Sequence, residues 1–335
     1  MATKLTSQRV VRDLREPLQT SYGELAERTT VTVTLEGDDG VVGVGEAAPL
    51  EAYDGVPLSA VEDALDAYAR VIAPLDEGAE ILAACQDVAY VPHALAAVDI
   101  ALWDRAGKRE GKRVADMLAD GPLESVSVNA TIGALGAEAA ERASAEALAA
   151  GFPCVKVKVG TPGDAERLRA VRAGAGPGMS IRVDANGAWT VSEAAELLPA
   201  LDEAAGGLEL IEEPVHGAAE FAELMALLPD LRFASDESGI EPAPTACLKI
   251  GRAGGISAVC AHAAFVQARG GDVYLASAFD GPVGIAAAVH VAAALQTTIP
   301  SGLATLGAFT ECEAHPFAPD AGTIRLPASS GLGLS

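Results

Sequence analysis

The sequence predicts an α/β protein that combines an N-terminal α+β region with a closed barrel of parallel strands. From about Ser125 onward, short apolar strands alternate with alanine-rich helices in regular units. Repeated units of this kind indicate a parallel sheet, and seven or eight of them are typical of a (β/α) barrel. The repeated strands read SVSVNATIG, CVKVKVG, SIRVDANG, LELIEEP, LRFASDES, ACLKIGRAGG and DVYLASAFD.

The N-terminal region lacks this repeat. Residues 29–37 and 41–48 alternate as strands, and the GDDG between them predicts a hairpin turn. Helical periodicity follows over 57–72 and 93–111. We therefore divide the chain into an α+β domain, a barrel, and a Pro/Gly-rich C-terminal segment that packs back on the first domain. The predicted boundaries are 1–122, 123–308 and 309–335.

Composition narrows the classes of partner and compartment. Half of the 335 residues are hydrophobic, and the longest apolar run, 283–295, is too short to span a bilayer. The net charge of −24 disfavours binding to nucleic acid or to an anionic membrane. The start of the chain has no apolar signal region. Five scattered cysteines argue for a reducing cytoplasm and against a disulfide frame or a zinc site.

Two of the six lysines of the chain, Lys156 and Lys158, share one face of the strand CVKVKVG, opposite its valines. A lysine pair on a strand is usually a solvated face or a guard on a sheet edge. A strand inside a parallel barrel has no solvent face, however. The pair is therefore a candidate for chemistry inside the barrel.

Acidic residues recur at the ends of the next strands. Lys158, Asp184, Glu212 and Asp236 follow one another at steps of 26, 28 and 24 residues, each about one strand-helix unit. Their side chains should therefore meet at the mouth formed by the C-terminal strand ends. Each motif alone could be a turn or a helix cap. Three converging carboxylates repel one another without a cation, and Mg²⁺ prefers such oxygen ligands.

These motifs resemble the enolase superfamily, specifically its muconate-lactonising subgroup. The resemblance rests on VKVKVG, RVDANGAW, LIEEP, ASDES and LKIGRAGGI, and it covers nearly the whole chain. It implies a modified (β/α)8 barrel of the (β/α)7β type with an N-terminal capping domain. It also implies Lys158 as the base, with Lys156 beside it and Lys249 on the sixth strand. Asp184, Glu212 and Asp236 are then the ligands of Mg²⁺, for which Mn²⁺ can substitute.

Within the subgroup, GEAAPLEAYDG, SVNATIGA and SGLATLGAF look most like the o-succinylbenzoate synthases. That resemblance implies a dehydratase of menaquinone synthesis, which removes a proton α to a carboxylate and eliminates water. Muconate cycloisomerase and N-acylamino-acid racemase stay open. Dipeptide epimerases carry an Asp-x-Asp pair near the last barrel strand to hold an ammonium group, and we find none here. A Schiff-base aldolase or a non-catalytic binding barrel would not need three aligned carboxylates.

The expected partner is a small carboxylate, and self-association into a homo-oligomer is left open. Tyr22 and Tyr53, in the candidate lid loops 19–24 and 50–55, and Ser277, after the seventh strand, are candidate substrate contacts. The amino end of a helix that starts near Pro282 also suits a substrate carboxylate.

One departure from the family pattern concerns the connection from Asp236 to Lys249. It is only thirteen residues long, which leaves scarcely room for a crossover helix. Either a loop replaces the fifth helix, or Lys249 lies out of register.

In this hypothesis Lys156 has a chemical role as the charged neighbour of Lys158. A base must be neutral near neutral pH, whereas a free lysine has a pKa of about 10.4. Burial, a neighbouring ammonium and a metal ion all favour the neutral form. Lys156 and the metal are therefore expected to lower the pKa of Lys158.

Overall fold

The computed structural model describes residues 3–20, 23–312 and 315–334, and for 18–20, 23 and 24 it describes the backbone alone. Tyr22, a predicted substrate contact, lies outside the described residues. Among the helices in these ranges, none is long and apolar enough to cross a membrane.

The N-terminal domain is an antiparallel three-stranded sheet covered by helices, in the order β1-β2-β3. The expected hairpin between β2 and β3 is confirmed, with Val31 opposite Ala47. Both predicted helices are present, as α2 and α4. The first strand and α3 were not predicted. The elements are β1 (Lys4–Thr20), β2 (Gly23–Glu36), β3 (Val42–Ala47), α1 (Glu51–Asp54), α2 (Leu58–Ile72), α3 (Gly78–Val88), α4 (Pro92–Glu110) and α5 (Val114–Leu118).

The sheet and α4 pack in close backbone contact. A Cβ atom added to Gly45 in β3 would lie 1.8 Å from the carbonyl oxygen of Ala97 in α4. Only glycine fits there, which explains the GVG sequence of this strand. The buried face of β2, from Val31 to Leu35, belongs to the same hydrophobic core.

The second domain is a barrel of the (β/α)7β type, as the family resemblance implied, except that one of its seven helices is missing. Seven parallel strands run in the order β5-β6-β7-β8-β9-β10-β11. The elements are β4 (Ser125–Ser127), β5 (Ala130–Ile132), α6 (Ala137–Ala149), β6 (Cys154–Lys158), α7 (Asp164–Ala175), β7 (Ser180–Asp184), α8 (Val191–Ala205), β8 (Leu210–Glu212), α9 (Ala218–Leu227), β9 (Phe233–Ser235), β10 (Thr245–Leu248), α10 (Ile250–Ala253), α11 (Ile256–Ala268), β11 (Asp272–Leu275), α12 (Pro282–Ala294) and β12 (Thr323–Arg325).

An extended segment at residues 300–303, the closing segment, completes the barrel. It forms parallel bridges from Ser301 to Val128 and from Gly302 to Ala276. The amide of Gly302 donates to the carbonyl of Leu275 at 2.8 Å. The segment therefore occupies the eighth position, between β11 and the chain that leads into β5.

The connection from β9 to β10 contains no helix. Residues 236–244 form bends and turns, and β10 still pairs in parallel with β9, with Thr245 opposite Ala234. The first alternative from the sequence is therefore correct: a short loop replaces the fifth helix. Because β10 keeps its place in the sheet, the residue that follows it stays in register with the mouth.

The C-terminal segment contacts both domains. β12 pairs with β4 in an antiparallel ribbon. The amide of Thr310 donates to the carbonyl of Asp13 at 3.1 Å, and the amide of Leu332 to Asp104 Oδ1 at 2.8 Å. The residue boundaries given for the three parts stay a prediction.

Candidate active site

The three predicted acidic residues lie at one level of the barrel mouth. Asp184 ends β7 and is paired in register with Glu212 at the end of β8 and with Lys158 in β6. Asp236 follows β9 directly. Asp184 is 1%, Glu212 0% and Asp236 6% exposed. Parallel pairing thus places three buried carboxylates side by side.

Lys156 lies between two of these carboxylates. Its Nζ is 2.8 Å from Asp184 Oδ2 and 2.6 Å from Glu212 Oε1. Burial lowers the pKa of Lys156, but the charges of Asp184 and Glu212 outweigh burial, so the pKa lies above its ordinary value. Lys156 therefore carries a positive charge in this arrangement.

Lys158 lies nearer the opening. Its Nζ is 2.5 Å from Asp184 Oδ2, the oxygen that also binds Lys156, and it donates to Asn186 Oδ1 at 2.7 Å. The side chain of Lys158 is 34% exposed, against 12% for Lys156. Of the two lysines on this strand, Lys158 is therefore the one that a ligand in the mouth can reach.

Lys249 reaches the mouth from the end of β10. Its ammonium group binds Asp236 Oδ2 and donates to the hydroxyl of Tyr53 at 2.9 Å. Burial lowers the pKa of Lys249, but the charges around it, with Asp236 first among them, together outweigh burial, so the pKa lies well above the ordinary value. The short fifth connection therefore does not displace this lysine.

The two candidate acid-base lysines come from opposite sides of the barrel. With β5 as the first of eight positions, Lys158 belongs to the second strand and Lys249 follows the sixth. Strands two and six of eight are diametrically opposed. The three carboxylates lie on the strands between them, so a ligand at the centre of the mouth has a lysine on each side.

The capping domain contributes Tyr53, from α1. Its hydroxyl lies 3.1 Å from both oxygens of Asp236 and accepts from Arg252 Nη1 at 3.0 Å. Arg252, in α10, also donates to Asp236 Oδ1 at 3.1 Å. The predicted position of Tyr53 beside the site is thus observed. Arg252 was missed, although it lies only three residues after Lys249 in LKIGRAGG.

Two further acidic residues shape the loops at the strand ends. Glu213 is buried and accepts from the backbone amides of Asp236 and Ser238, each at 2.8 Å. Glu237 accepts from Asn186 Nδ2 at 2.9 Å, and burial raises the pKa of Glu237 to about 7. These contacts fix the backbone that carries the carboxylates.

Ser277 lies at the end of the seventh strand, as expected, but its hydroxyl is engaged locally. It accepts from the amide of Asp280 at 2.9 Å and lies 3.2 Å from Thr305 Oγ1. The expectation for the amino end of α12 needs correction. Glu46 of the capping domain occupies it and accepts from the amide of Gly281 at 2.6 Å. The carboxylate at this helix end therefore belongs to the chain itself.

A polar layer lies beneath the mouth, which the sequence did not reveal. The hydroxyl of Tyr274 donates to Glu212 Oε2 at 2.5 Å, and the guanidinium carbon of Arg182 lies 4.9 Å from the centre of the Tyr274 ring. Arg182 Nη2 pairs with Glu209 at 2.9 Å. Tyr274 therefore orients the second carboxylate of the mouth.

The donor set fits a hard divalent cation. Asp184, Glu212 and Asp236 offer only oxygen atoms, which Mg²⁺ and Mn²⁺ prefer. In the structure these oxygens bind the ammonium groups of Lys156, Lys158 and Lys249. The three carboxylates thus bind positively charged groups at the barrel mouth.

Comparison with protein families identifies the class. The family model described as the N-terminal domain of mandelate racemase / muconate lactonizing enzyme matches residues 2–119. The model described as enolase C-terminal domain-like matches residues 138–335. The chain belongs to the enolase superfamily, in its muconate-lactonising subgroup.

The relatives of this chain differ from one another in activity. An L-Ala-D/L-Glu epimerase of Clostridium acetobutylicum is 30% identical over 299 residues, which are 84% of this chain and 83% of that one. An o-succinylbenzoate synthase of Mycobacterium tuberculosis is 39% identical, over 58% of this chain and 62% of that one. The solved dipeptide epimerase of Enterococcus faecalis, complexed with Mg and L-Leu-L-Tyr, matches with a TM-score of 0.91 at 24% identity over 100% of both chains.

Proposed function

We propose that this enzyme inverts the configuration of an α-amino carboxylate whose nitrogen is acylated, by metal-assisted proton transfer. The observation that carries the proposal is the opposed pair Lys158 and Lys249, on the second and sixth of eight strand positions. The epimerase from Clostridium acetobutylicum, similar over 84% of this chain, supports it. We place this sister activity ahead of the dehydratase favoured by the sequence motifs.

Inversion needs two groups that exchange protons with opposite faces of one carbon. The neutral form of one lysine removes the α-proton, and the ammonium form of the other delivers a proton to the opposite face. The reverse reaction exchanges the two roles, so no proton is gained or lost over a cycle. Asp184, Glu212 and Asp236 would hold a divalent cation, which would supply Lewis-acid stabilisation for the negative charge that develops on the substrate carboxylate.

The residues of the closing segment favour one class of substrate. A dipeptide and an N-acylamino acid share the same reacting unit, a carboxylate and an amide nitrogen on one carbon. They differ in the free ammonium group of the dipeptide. Residues 301–303 of the closing segment are Ser, Gly and Leu, so they supply no carboxylate pair for an ammonium group. We therefore favour an acyl group without positive charge.

A substrate panel tests the proposal. Purified protein with Mg²⁺ is given N-acetyl and N-succinyl amino acids and L-Ala-L-Glu in D₂O, and NMR follows α-proton exchange while optical rotation follows inversion. We expect exchange and inversion with the N-acyl compounds, and slower turnover of the dipeptide. Absence of exchange with every amino-acid derivative would contradict the proposal.

The second candidate is o-succinylbenzoate synthesis. It is favoured by the 39% identity to the mycobacterial synthase and by the same lack of a carboxylate pair in the closing segment. In this reaction Lys158 removes the ring proton and then protonates the departing hydroxide. Formation of an aromatic absorbance from the succinyl-hydroxycyclohexadiene carboxylate, without inversion of any amino-acid derivative, would establish it instead.

A further inference from the structure

One thiol lies inside the candidate metal site. Cys247 is on the interior face of β10, in a buried cluster with Ala234 and Tyr274, and is 6% exposed. Its sulfur and one carboxylate oxygen from each of Glu212 and Asp236 all lie within 4.8 Å of one another. The scattered spacing of the cysteines gave no reason to expect this.

We propose that Glu212, Asp236 and Cys247 form a site for a thiophilic divalent cation such as Zn²⁺ or Cd²⁺, overlapping the proposed Mg²⁺ site. Zn²⁺ is bound by cysteine sulfur as well as carboxylate oxygen, commonly by three protein ligands and one open position. Mg²⁺ instead prefers oxygen alone. The inference rests on the mouth being a cation site, as in the proposed function.

The two ligand sets overlap, so the mouth holds one ion at a time. Ammonium groups bind all three carboxylates of the mouth: Lys156 and Lys158 bind Asp184, Lys156 also binds Glu212 at 2.6 Å, and Lys249 binds Asp236. Glu212 and Asp236 belong to both ligand sets, so a thiophilic ion lies on the β10 side of the mouth and excludes Mg²⁺. Coordination replaces the thiol proton, which is released to solvent. The ammonium group of Lys249, 3.8 Å from the sulfur, then faces a thiolate.

X-ray absorption of the full chain loaded with one equivalent of Zn²⁺ tests the inference without a substitution. We expect one sulfur neighbour at about 2.3 Å together with oxygen neighbours. A shell of oxygen and nitrogen only would overturn the inference. So would a shell with two or more sulfurs, because the site offers a single cysteine.

Ultraviolet absorption of the Cd²⁺-loaded protein identifies the cysteine. A sulfur-to-cadmium charge-transfer band should disappear in Cys247→Ser. It should persist in the control Cys260→Ser, which removes a partly exposed thiol of α11. Loss of the band in Cys260→Ser alone would assign it to the surface and contradict the proposal.

Activity with Mg²⁺ is measured separately and distinguishes two failures. Mg²⁺-dependent inversion without a sulfur neighbour in the Zn²⁺-loaded protein would reject the thiophilic site and retain the proposed function. A sulfur neighbour without turnover of any carboxylate would retain the metal site and reject the proposed function.

Discussion

The barrel and the capping domain contribute to the mouth in different ways. The barrel supplies its charged groups from strand ends that backbone pairing holds at one level, as with Asp184 beside Glu212. The cap supplies Tyr53 from α1, a four-residue helix in which no residue is buried. From this difference we expect the barrel to carry the proposed chemistry and the cap to adjust it through a few polar contacts.

The segment that carries Tyr53 is held mainly by Asp54. The carboxylate of Asp54 accepts from the amides of Leu50 and Val56, each at 2.8 Å, and its Oδ2 lies 2.9 Å from His93 Nε2 in α4. A loop fixed by polar contacts opens more easily than a paired strand. Substitutions in the cap should therefore weaken turnover, whereas substitutions at the strand ends should abolish it.

The largest effect is expected from Asp184→Asn. The variant loses a charged ligand and the group that holds both lysines of β6, so metal-dependent turnover should fall by about a thousandfold, equivalent to several kcal/mol. The measurement is kcat/KM over a range of Mg²⁺ concentrations. Asp99→Asn is the matched control, because that buried carboxylate binds Ser257 away from the mouth. If Asp184→Asn and Asp99→Asn have equal activity, the carboxylate at the end of β7 has no special role in turnover.

A smaller effect is expected from Tyr53→Phe. The variant removes a hydroxyl that contacts Lys249, Arg252 and Asp236, and hydrogen bonds to charged groups contribute about 1.5–3 kcal/mol. We expect kcat/KM to fall at least about tenfold. In the control Tyr68→Phe, the lost hydroxyl donates to the carbonyl of Ala89 within the cap. If both variants retain full activity, the cap does not adjust the site through Tyr53.

The smallest effect on turnover is expected from substitution of Glu46, at the contact between the domains. Its effect on stability should be measurable. Burial raises the pKa of Glu46 to about 7, although Arg12 opposes this from 4.0 Å. The folded state therefore favours the protonated form of Glu46. The contribution of this group to the free energy of unfolding is complete below the unfolded pKa of about 4.5 and is lost as pH rises through about 7. The difference corresponds to about 3 kcal/mol.

Denaturant unfolding at pH 5 to 8 measures this effect. Glu46→Gln should lose less free energy of unfolding across that range than the unsubstituted protein. Glu36→Gln, at an exposed glutamate of β2, should keep the original slope. If the free energy of unfolding depends on pH in the same way in all three proteins, the pKa of Glu46 is not raised in the folded state.

The barrel was more predictable from sequence than the cap, for a physical reason. Parallel pairing fixes side chains at equal distances along consecutive strands, so the spacing of Lys158, Asp184, Glu212 and Asp236 is itself structural information. The first strand was missed because its residues from Thr6 to Gln8 are exposed, which hides the apolar alternation. Helix α3 was missed because only two of its residues are buried.

Contacts between distant segments explain the other omissions. Tyr274 touches Glu212 across 62 residues, and Glu46 reaches the amide of Gly281 across 235. No local pattern encodes such pairs. Cys247 is a different case, because it lies in β10 two residues before Lys249, a predicted site lysine. Period-2 alternation alone would have placed its side chain inside the barrel with Lys249.

The central claim is that Lys158 and Lys249 face the substrate carbon from opposite sides. The most direct measurement is α-proton exchange in D₂O by Lys158→Ala and Lys249→Ala, each with the D and L forms of an N-acylamino acid. We expect neither variant to invert configuration, and each to exchange the proton of only one enantiomer, the opposite one in the two cases. Exchange of the same enantiomer by both variants, or inversion by either, would contradict the claim.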